Sequence, residues 1–228
     1  MISKNSLKVV RNTPNLRELT TEALRNAILS MHFKPKQRLV ERTLCEQTGV
    51  SRTCVREALQ HLESEGLVNR VANKGLFVAS VTADEARQIY EVRASLESSA
   101  GQMFVIRASK KEFVELEMAC RRIEKSVKES EIMPYVSALD QFYDVLLSGA
   151  KNDVARTVLR TMRARMNYLR AITSQISDME HKLETNALLR KIVEAAHDRN
   201  TKKTAKRCRE FVERSAEFAI KILSEKEA

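Results

Sequence analysis

The chain has 228 residues, of which 43% are hydrophobic and 31% are charged, with only 5 Gly and 3 Pro. This hydrophobic fraction excludes a wholly disordered chain, and so few turn-forming residues disfavour an all-β barrel or sandwich. The formal net charge is +10, of which +6 falls in residues 1–80. The N-terminal part is therefore the more basic per residue, which favours a polyanionic partner.

Targeting and redox signals point to a cytoplasmic protein with no membrane association. No apolar run approaches the ~18 residues of a membrane span. Residues 1–10 lack the apolar region of a signal peptide. No CxxC spacing occurs, so we expect reduced thiols rather than disulfides or a zinc site at Cys45, Cys54, Cys120 and Cys208.

The first elements in chain order are a tail and two helices. Residues 1–15 are polar and predict a flexible tail, and helical spacing of Leu, Ala and Ile predicts a helix over 16–31. Residues 33–37 interrupt this pattern. A short second helix is expected over 41–48, ending at Gly49.

A third helix and a hairpin follow. Ser51 is suited to cap the helix, Val50 and Val55 have the spacing of a hydrophobic staple, and Gly66 is suited to end it. Two short β-like runs, 67–71 and 76–79, are separated by the turn residues 72–75.

Everything after the hairpin is expected to be helical. Thr82 to Glu85 and Ser109 to Glu112 have the capping-box pattern, and further helices are predicted over about 134–148, 152–174, 178–199 and 202–224. A domain boundary near Ser80 divides residues 16–80 from residues 81–228. The predicted fold is mainly α, with an N-terminal winged helix-turn-helix and a C-terminal all-helical bundle.

The helix, tight turn and helix over residues 40–66 are typical of a DNA-binding helix-turn-helix, whose second helix enters the major groove. Arg52 and Arg56 share one face, opposite the apolar stripe of that helix. Two such arginines usually mark a solvated surface, but here they coincide with a staple, a turn glycine and a basic hairpin. We therefore predict DNA contacts from Ser51, Arg52, Thr53 and Arg56, and from the wing tip Asn73, Lys74 and Gly75.

Residues 33–68 resemble the signature of GntR-type bacterial transcription regulators. The chain departs from that signature at Lys36, where the family has glycine, and at Cys54, where it has proline. Neither departure lies on the expected DNA face. The resemblance implies the DNA contacts named above and adds Arg42, on the preceding helix, as a phosphate contact.

The C-terminal part resembles, more loosely, the FadR-type effector domain called FCD. The resemblance rests on residues 90–100, 142–152 and 192–205. It implies a helical bundle that binds an organic acid or related metabolite. It also implies a homodimer, and we expect its two winged modules to read the half-sites of a palindromic double-stranded DNA operator, as a repressor or an activator.

Many members of that subfamily hold a divalent metal through one Asp and three His. Alignment places those positions at Leu139, Tyr143, Leu189 and Phe211, so we predict no metal and no other cofactor. A slipped alignment could instead involve Asp140, Asp144, His181 and His197, but we interpret these as surface polar residues.

The same four positions either line an effector pocket or are plain core. Arg93, Arg163, Arg165 and Arg170 are candidates to hold a carboxylate, and Arg93 is favoured by family position. The predicted effector residues are thus Arg93, Leu139, Tyr143, Arg163, Leu189 and Phe211.

The sequence allows three functions. The favoured one is a sequence-specific transcription regulator whose DNA affinity is modulated by a small metabolite. The alternative is an architectural DNA-binding protein without a ligand. An enzyme is disfavoured because the sequence has no GxSxG, HExxH, P-loop or Rossmann motif.

Overall fold

The computed structural model describes residues 16–129 and 132–227. The predicted tail, residues 1–15, lies outside the described residues. The N-terminal part contains α1 (Leu16–Leu29), β1 (Arg38–Leu39), α2 (Glu41–Thr48), α3 (Arg52–Ser64), β2 (Val68–Val71) and β3 (Gly75–Val78). The C-terminal part contains α4 (Ala83–Arg107), α5 (Lys110–Ser126), α6 (Ile132–Gly149), α7 (Asp153–Ile176), α8 (Met179–His197) and α9 (Thr201–Glu227). The predicted fold class is confirmed.

The N-terminal part is a helix-turn-helix followed by a small antiparallel sheet of order β1-β3-β2. Strand β1 was not predicted. It places Arg38 opposite Phe77 and Leu39 opposite Leu76. Leu39 and Leu76 are buried, so the sheet closes the core beneath α1 and α3.

The C-terminal part is built around α4, which packs closely along α9. Ser98 donates from its hydroxyl to the carbonyl of Ala205 at 3.0 Å. A Cβ at Gly101 would come within 2.6 Å of the Cys208 sulfur. Because the backbones approach so closely there, the side chains of α4 divide sharply into a buried face and an outward face.

One of the two predicted capping boxes is present and the other is wrong. At Ser109 the backbone N–H donates to the Glu112 carboxylate at 2.8 Å, and the box is reciprocal. At Thr82 only the hydroxyl participates, accepting from the backbone of Glu85 at 3.1 Å. The Glu85 carboxylate pairs instead with Arg165 on α7 at 3.0 Å, because a tertiary ion pair replaces the local one.

Candidate DNA-binding surface and effector cavity

The start of α3 is fixed by local chemistry. Gly49 ends α2 in the left-handed region at φ 71°, which a side chain would resist. The Ser51 hydroxyl then accepts from the backbone N–H of Cys54 at 3.3 Å and caps α3. Val55 is completely buried one turn later. These contacts aim the first turn of α3 at solvent.

The end of α3 sets the position of the wing. The Leu67 backbone N–H donates to the Leu62 carbonyl at 3.0 Å, and Gly66 has φ 74°, as in a Schellman ending. Strand β2 begins directly afterwards. At the wing tip, Lys74 donates from its backbone to the Val71 carbonyl at 3.1 Å and closes the turn.

The residues predicted to contact DNA are all exposed and lie on three neighbouring segments. Arg42 is on α2, and Ser51, Arg52, Thr53 and Arg56 are at the start of α3. Asn73, Lys74 and Gly75 form the wing tip. Exposure at all eight positions is what a DNA-facing surface requires.

Two of the predicted cations already have carboxylate partners. Arg56 forms a two-pronged pair with Glu41, at 3.1 Å from Nε and 2.9 Å from Nη2. This bond lowers the pKa of Glu41 below its ordinary value. Arg42 pairs with Glu46 at 3.0 Å. In the part of the chain that the structure describes, Arg52 forms no salt bridge, which leaves its guanidinium available to an outside anion.

Arg38 also belongs to this surface, although the sequence reasoning missed it. Its side chain is exposed, and its Nε lies 3.7 Å from the point where a Cβ on Gly75 would be. The guanidinium therefore sits beneath the wing tip. The available signal was the alternation of exposed Arg38 with buried Leu39, but a strand of two residues gives no usable period.

A second site lies inside the helical domain. A cavity of about 50 Å³ is lined by residues on or next to α4, α6, α7, α8 and α9, and we call it the Arg170 cavity. It holds only a few water-sized groups. Its lining residues include Arg93 and Arg170. Hydroxyl-bearing side chains contribute much of the rest: Tyr90, Tyr135, Thr173, Ser174, Ser177, Thr185 and Ser215.

The two arginines of this cavity differ in how well they are satisfied. Arg93 is 1% exposed and pairs with buried Glu97, at 2.8 Å from Nε and 3.4 Å from Nη2. Burial alone would lower the pKa of Arg93, but the Glu97 carboxylate outweighs it, so the pKa is raised. This guanidinium is held as a structural ion.

Arg170 is only partly satisfied. Its Nη1 donates to the Asn167 Oδ1 at 2.9 Å and lies 3.6 Å from Asp140, whereas its Nη2 is buried without a hydrogen-bond partner. Burial, together with the positive charge of Arg93, lowers the pKa of Arg170. A buried donor of this kind is costly unless an acceptor reaches it.

The predicted effector residues are only partly brought together. Arg93, Leu139 and Phe211 line the cavity. Tyr143 is buried beside it, with the guanidinium carbon of Arg170 5.1 Å from its ring centre. Two predicted residues lie elsewhere: Leu189 is completely buried, and Arg163 lies outside the cavity, paired with Asp140 and Asp144.

The side chains at the family's metal-ligand positions are not suited to hold a metal ion. Leu139, Leu189 and Phe211 have no ligating atom. Burial raises the pKa of the Tyr143 hydroxyl well above its usual range, and that hydroxyl has no hydrogen-bond partner. Among residues 16–129 and 132–227, no three His, Cys, Asp or Glu side chains are grouped to hold a metal.

The residues of a slipped metal alignment are also dispersed. Asp140 and Asp144 pair with Arg163. His181 stacks on Phe218 with ring centres 3.6 Å apart, at the cavity wall. His197 lies 3.7 Å from Glu117 on α5.

Helix α7 connects the Arg170 cavity to the DNA-binding part. The Tyr168 hydroxyl donates to the Ala79 carbonyl at 2.7 Å, in a buried hydrogen bond just after the wing. The Arg165 guanidinium lies directly against Gly66, where an added Cβ would collide with its Nε. Two turns of α7 therefore carry the two residues that contact the ends of the wing, Arg165 and Tyr168, and the cavity residue Arg170.

Within the described ranges, no helix combines the length and apolarity needed to cross a bilayer.

Comparison with known proteins identifies both parts. Residues 16–78 match the family described as bacterial regulatory proteins, gntR family, and residues 88–214 match the FCD domain. The Nta operon transcriptional regulator of Aminobacter aminovorans is 31% identical over 153 residues, which are 67% of this chain and 72% of that protein.

Solved structures share the fold. Escherichia coli McbR/YncC has a TM-score of 0.78 at 18% identity, covering 95% of this chain and 100% of the other. A GntR-type regulator from Rhodococcus sp. RHA1 has a TM-score of 0.78 at 21% identity, covering 91% and 97%. The chain therefore belongs to the gntR family of bacterial regulatory proteins, carries an FCD domain, and is a DNA-binding transcription regulator rather than an enzyme.

Proposed function

We propose that this regulator acts in the cytoplasm as a homodimer on a two-fold-symmetric operator, and that a small hydroxylated anion in the Arg170 cavity sets its DNA affinity. One module carries few side chains that could read bases. A dimer doubles this number, because its two winged modules read half-sites about one helical turn apart. Whether the outcome is repression or activation depends on where the operator lies relative to the promoter.

On DNA, the first turn of α3 enters the major groove. Arg52 is available to form a forked pair with guanine or to contact phosphate. Arg56 exchanges the carboxylate of Glu41 for a phosphate or base acceptor. Lys74, with Arg38 beneath it, contacts the backbone beside the wing, so its contribution is independent of sequence.

The observation that carries the effector proposal concerns Arg170, which lines a cavity rich in hydroxyl groups and whose buried Nη2 lacks an acceptor. A carboxylate would satisfy this donor, and Ser and Thr hydroxyls nearby suit hydroxyl groups on the same ligand. The cavity adjoins an outer groove of about 310 Å³, with Ser177, His181 and Phe218 common to both. Parting His181 from Phe218 would add the volume that an organic acid needs.

We propose further that this anion is bound without a metal. The side chains at the family's ligand positions support this, since three of the four have no donor atom. Arg170 supplies the positive charge that would neutralise a carboxylate, since the charge of Arg93 is already matched by Glu97.

Helix α7 supports a route from cavity to DNA. An anion bound at Arg170 would act on α7. On the same helix, Tyr168 contacts Ala79 and Arg165 contacts Gly66, and these two residues flank the wing. A shift of α7 would change the placement of the wing relative to the helical domain. The two modules of a dimer would then no longer match the half-site spacing.

The DNA proposal is tested with duplexes selected from a random pool by the wild-type protein, with binding measured by fluorescence anisotropy at several salt concentrations. We expect Arg52→Ala to cost about 1–3 kcal/mol per half-site, or about 2–6 kcal/mol for a dimer, on the selected duplex and little on random DNA. Lys74→Ala should weaken both equally and lower the salt slope by about 2 for a dimer. Arg121→Ala, an exposed arginine on α5, is the control. Unchanged selectivity of Arg52→Ala would contradict the docking.

The effector proposal is tested by thermal shift against hydroxy acids, sugar acids and matched acids without hydroxyl groups. We expect the hydroxylated acids to raise the melting temperature and to change DNA affinity. If none of them changes either quantity, the alternative of a ligand-independent architectural DNA-binding protein is the better description.

A further inference from the structure

The start of α1 lies at the same end of the molecule as the start of α3. The Thr20 hydroxyl, near the beginning of α1, lies 3.4 Å from the Cys54 sulfur, in the first turn of α3. Further along both helices, Arg25 forms a two-pronged pair with Glu65, at 3.0 Å from Nε and 2.7 Å from Nη2. The two helices therefore run in the same direction, and the chain enters α1 beside the exposed turn of α3 that carries Arg52.

The residues that lead into α1 carry much of the positive charge of the N-terminal part. Residues 1–15 contain Lys4, Lys8 and Arg11 and no acidic residue, so they contribute +3. Residues 1–80 together have a net charge of +6. Half of this positive charge therefore precedes the winged helix-turn-helix in the chain and joins it next to α3.

The exposed surface around α3 has neutralised part of its own positive charge. Arg56 lies 2.9 Å from a carboxylate oxygen of Glu41, and Arg42 lies 3.0 Å from a carboxylate oxygen of Glu46. Affinity for DNA depends strongly on the number of phosphates that a protein neutralises. A surface with two arginines paired in this way gains affinity from further cations beside it.

The length of the segment suits the DNA next to one half-site. A chain spans at most about 3.3–3.6 Å per residue. Measured from Leu16, Arg11 therefore reaches about 17 Å and Lys4 reaches about 40 Å. One helical turn of DNA is about 34 Å long, so the segment is long enough to follow about one turn beyond the groove that α3 occupies.

We propose that residues 1–15 act as a basic arm that binds the phosphate backbone flanking each half-site, with Lys4, Lys8 and Arg11 as its contacts. The inference rests on the proposed docking of α3 in the major groove, because that docking places the start of α1 beside the duplex. The arm adds affinity without reading sequence, since phosphates are the same at every base pair.

The test compares two duplexes with the same selected half-sites. One duplex ends at the outer edges of the half-sites, and the other extends about twelve base pairs beyond each edge, which covers the reach of the arm. In the arm variant, Lys4, Lys8 and Arg11 are each replaced by Gln in the full-length chain. The control variant removes the same charge from the helical domain by replacing three exposed lysines with Gln: Lys110, Lys125 and Lys128.

The expected readout is the dependence of log Kd on log salt concentration, measured by fluorescence anisotropy. Six phosphate contacts in a dimer, at about 0.9 each, should make the slope on the long duplex smaller by about 5 in the arm variant. The slope on the short duplex should change little, and the control variant should match wild type on both. Hydroxyl-radical footprinting should show protection beyond the half-sites that the arm variant alone loses.

The outcomes separate the arm from the docking of α3. An arm variant that matches the control variant in slope and footprint contradicts the arm, and so does an equal loss of slope on both duplexes. Either result leaves the docking intact if Arg52→Ala still loses selectivity. If Arg52→Ala keeps full selectivity, the docking has failed, and a loss of flanking protection in the arm variant would still support the arm.

Discussion

Replacing Arg170 with methionine separates a ligand-binding arginine from a structural one. The Nη2 of Arg170 has no hydrogen-bond partner, and the positive charge of Arg93 disfavours the charged form of Arg170. If Arg170 is kept for ligand binding at some cost to stability, the protein should fold without it. If Arg170 is a structural ion, its removal should destabilise the fold.

The magnitude follows from the contacts. An unsatisfied buried donor costs about 1–3 kcal/mol, and replacing a poorly compensated buried ion by an apolar side chain is neutral or stabilising by about 1–4 kcal/mol. Arg170→Met loses one good hydrogen bond, to Asn167, while Asp140 keeps its pairing with Arg163. We expect unfolding free energy to rise by about 0–2 kcal/mol, at roughly 2–4 °C in melting temperature per kcal/mol.

The assay is urea and thermal unfolding of Arg170→Met beside Arg93→Met. Arg93→Met leaves Glu97 buried without its cation, so we expect a loss of about 3–5 kcal/mol. Arg170→Met should also abolish the thermal shift produced by hydroxy acids. A loss of more than about 3 kcal/mol in Arg170→Met would refute the reasoning, since it would make Arg170 a structural ion like Arg93.

Three further results are expected. Glu41→Gln frees Arg56 from its carboxylate and should tighten DNA binding in anisotropy titrations, by a factor of about 2–5; weaker binding would show that the pair positions Arg56. Tyr168→Phe leaves the Ala79 carbonyl unpaired, costing about 1–3 kcal/mol in urea unfolding, and should leave ligand affinity unchanged while reducing the ligand's effect on DNA binding. The pKa of Glu112 is lowered to about 2 from 4.5 by its ion pair and cap. The stabilisation contributed by the Glu112 carboxylate is therefore fully present above about pH 4.5 and is lost as the pH falls toward about 2. The difference in unfolding free energy between wild type and Glu112→Gln should narrow as the pH is lowered through that range, and a difference that stays constant would contradict this prediction.

The DNA-binding part could be predicted from sequence because its determinants are local. The turn at Gly49, the cap at Ser51 and the helix end at Gly66 each depend on residues within a few positions. The short strand containing Arg38 was missed, since its hydrogen bonds are made to β3, almost forty residues further along the chain.

The helical domain was predicted in outline but not in its contacts. The sequence predicts several arginines as candidates to bind a ligand carboxylate, but it does not show which of them already pair with a carboxylate of the protein. Arg163 meets Asp140 and Asp144 from a neighbouring helix, Arg93 meets Glu97, and Arg170 is left with a free donor. Tertiary packing decides which cation is satisfied, and this information is not in the spacing of the residues.

An anion bound at Arg170 and DNA bound at Arg52 are expected to change each other's affinity within one chain. The most direct measurement is the dissociation constant of the selected duplex, with and without the acid that raises the wild-type melting temperature, for wild type and Arg170→Met. We expect a change of about 5–150-fold in wild type and none in Arg170→Met. An equal change in both proteins, or none in wild type despite a thermal shift, would contradict the account.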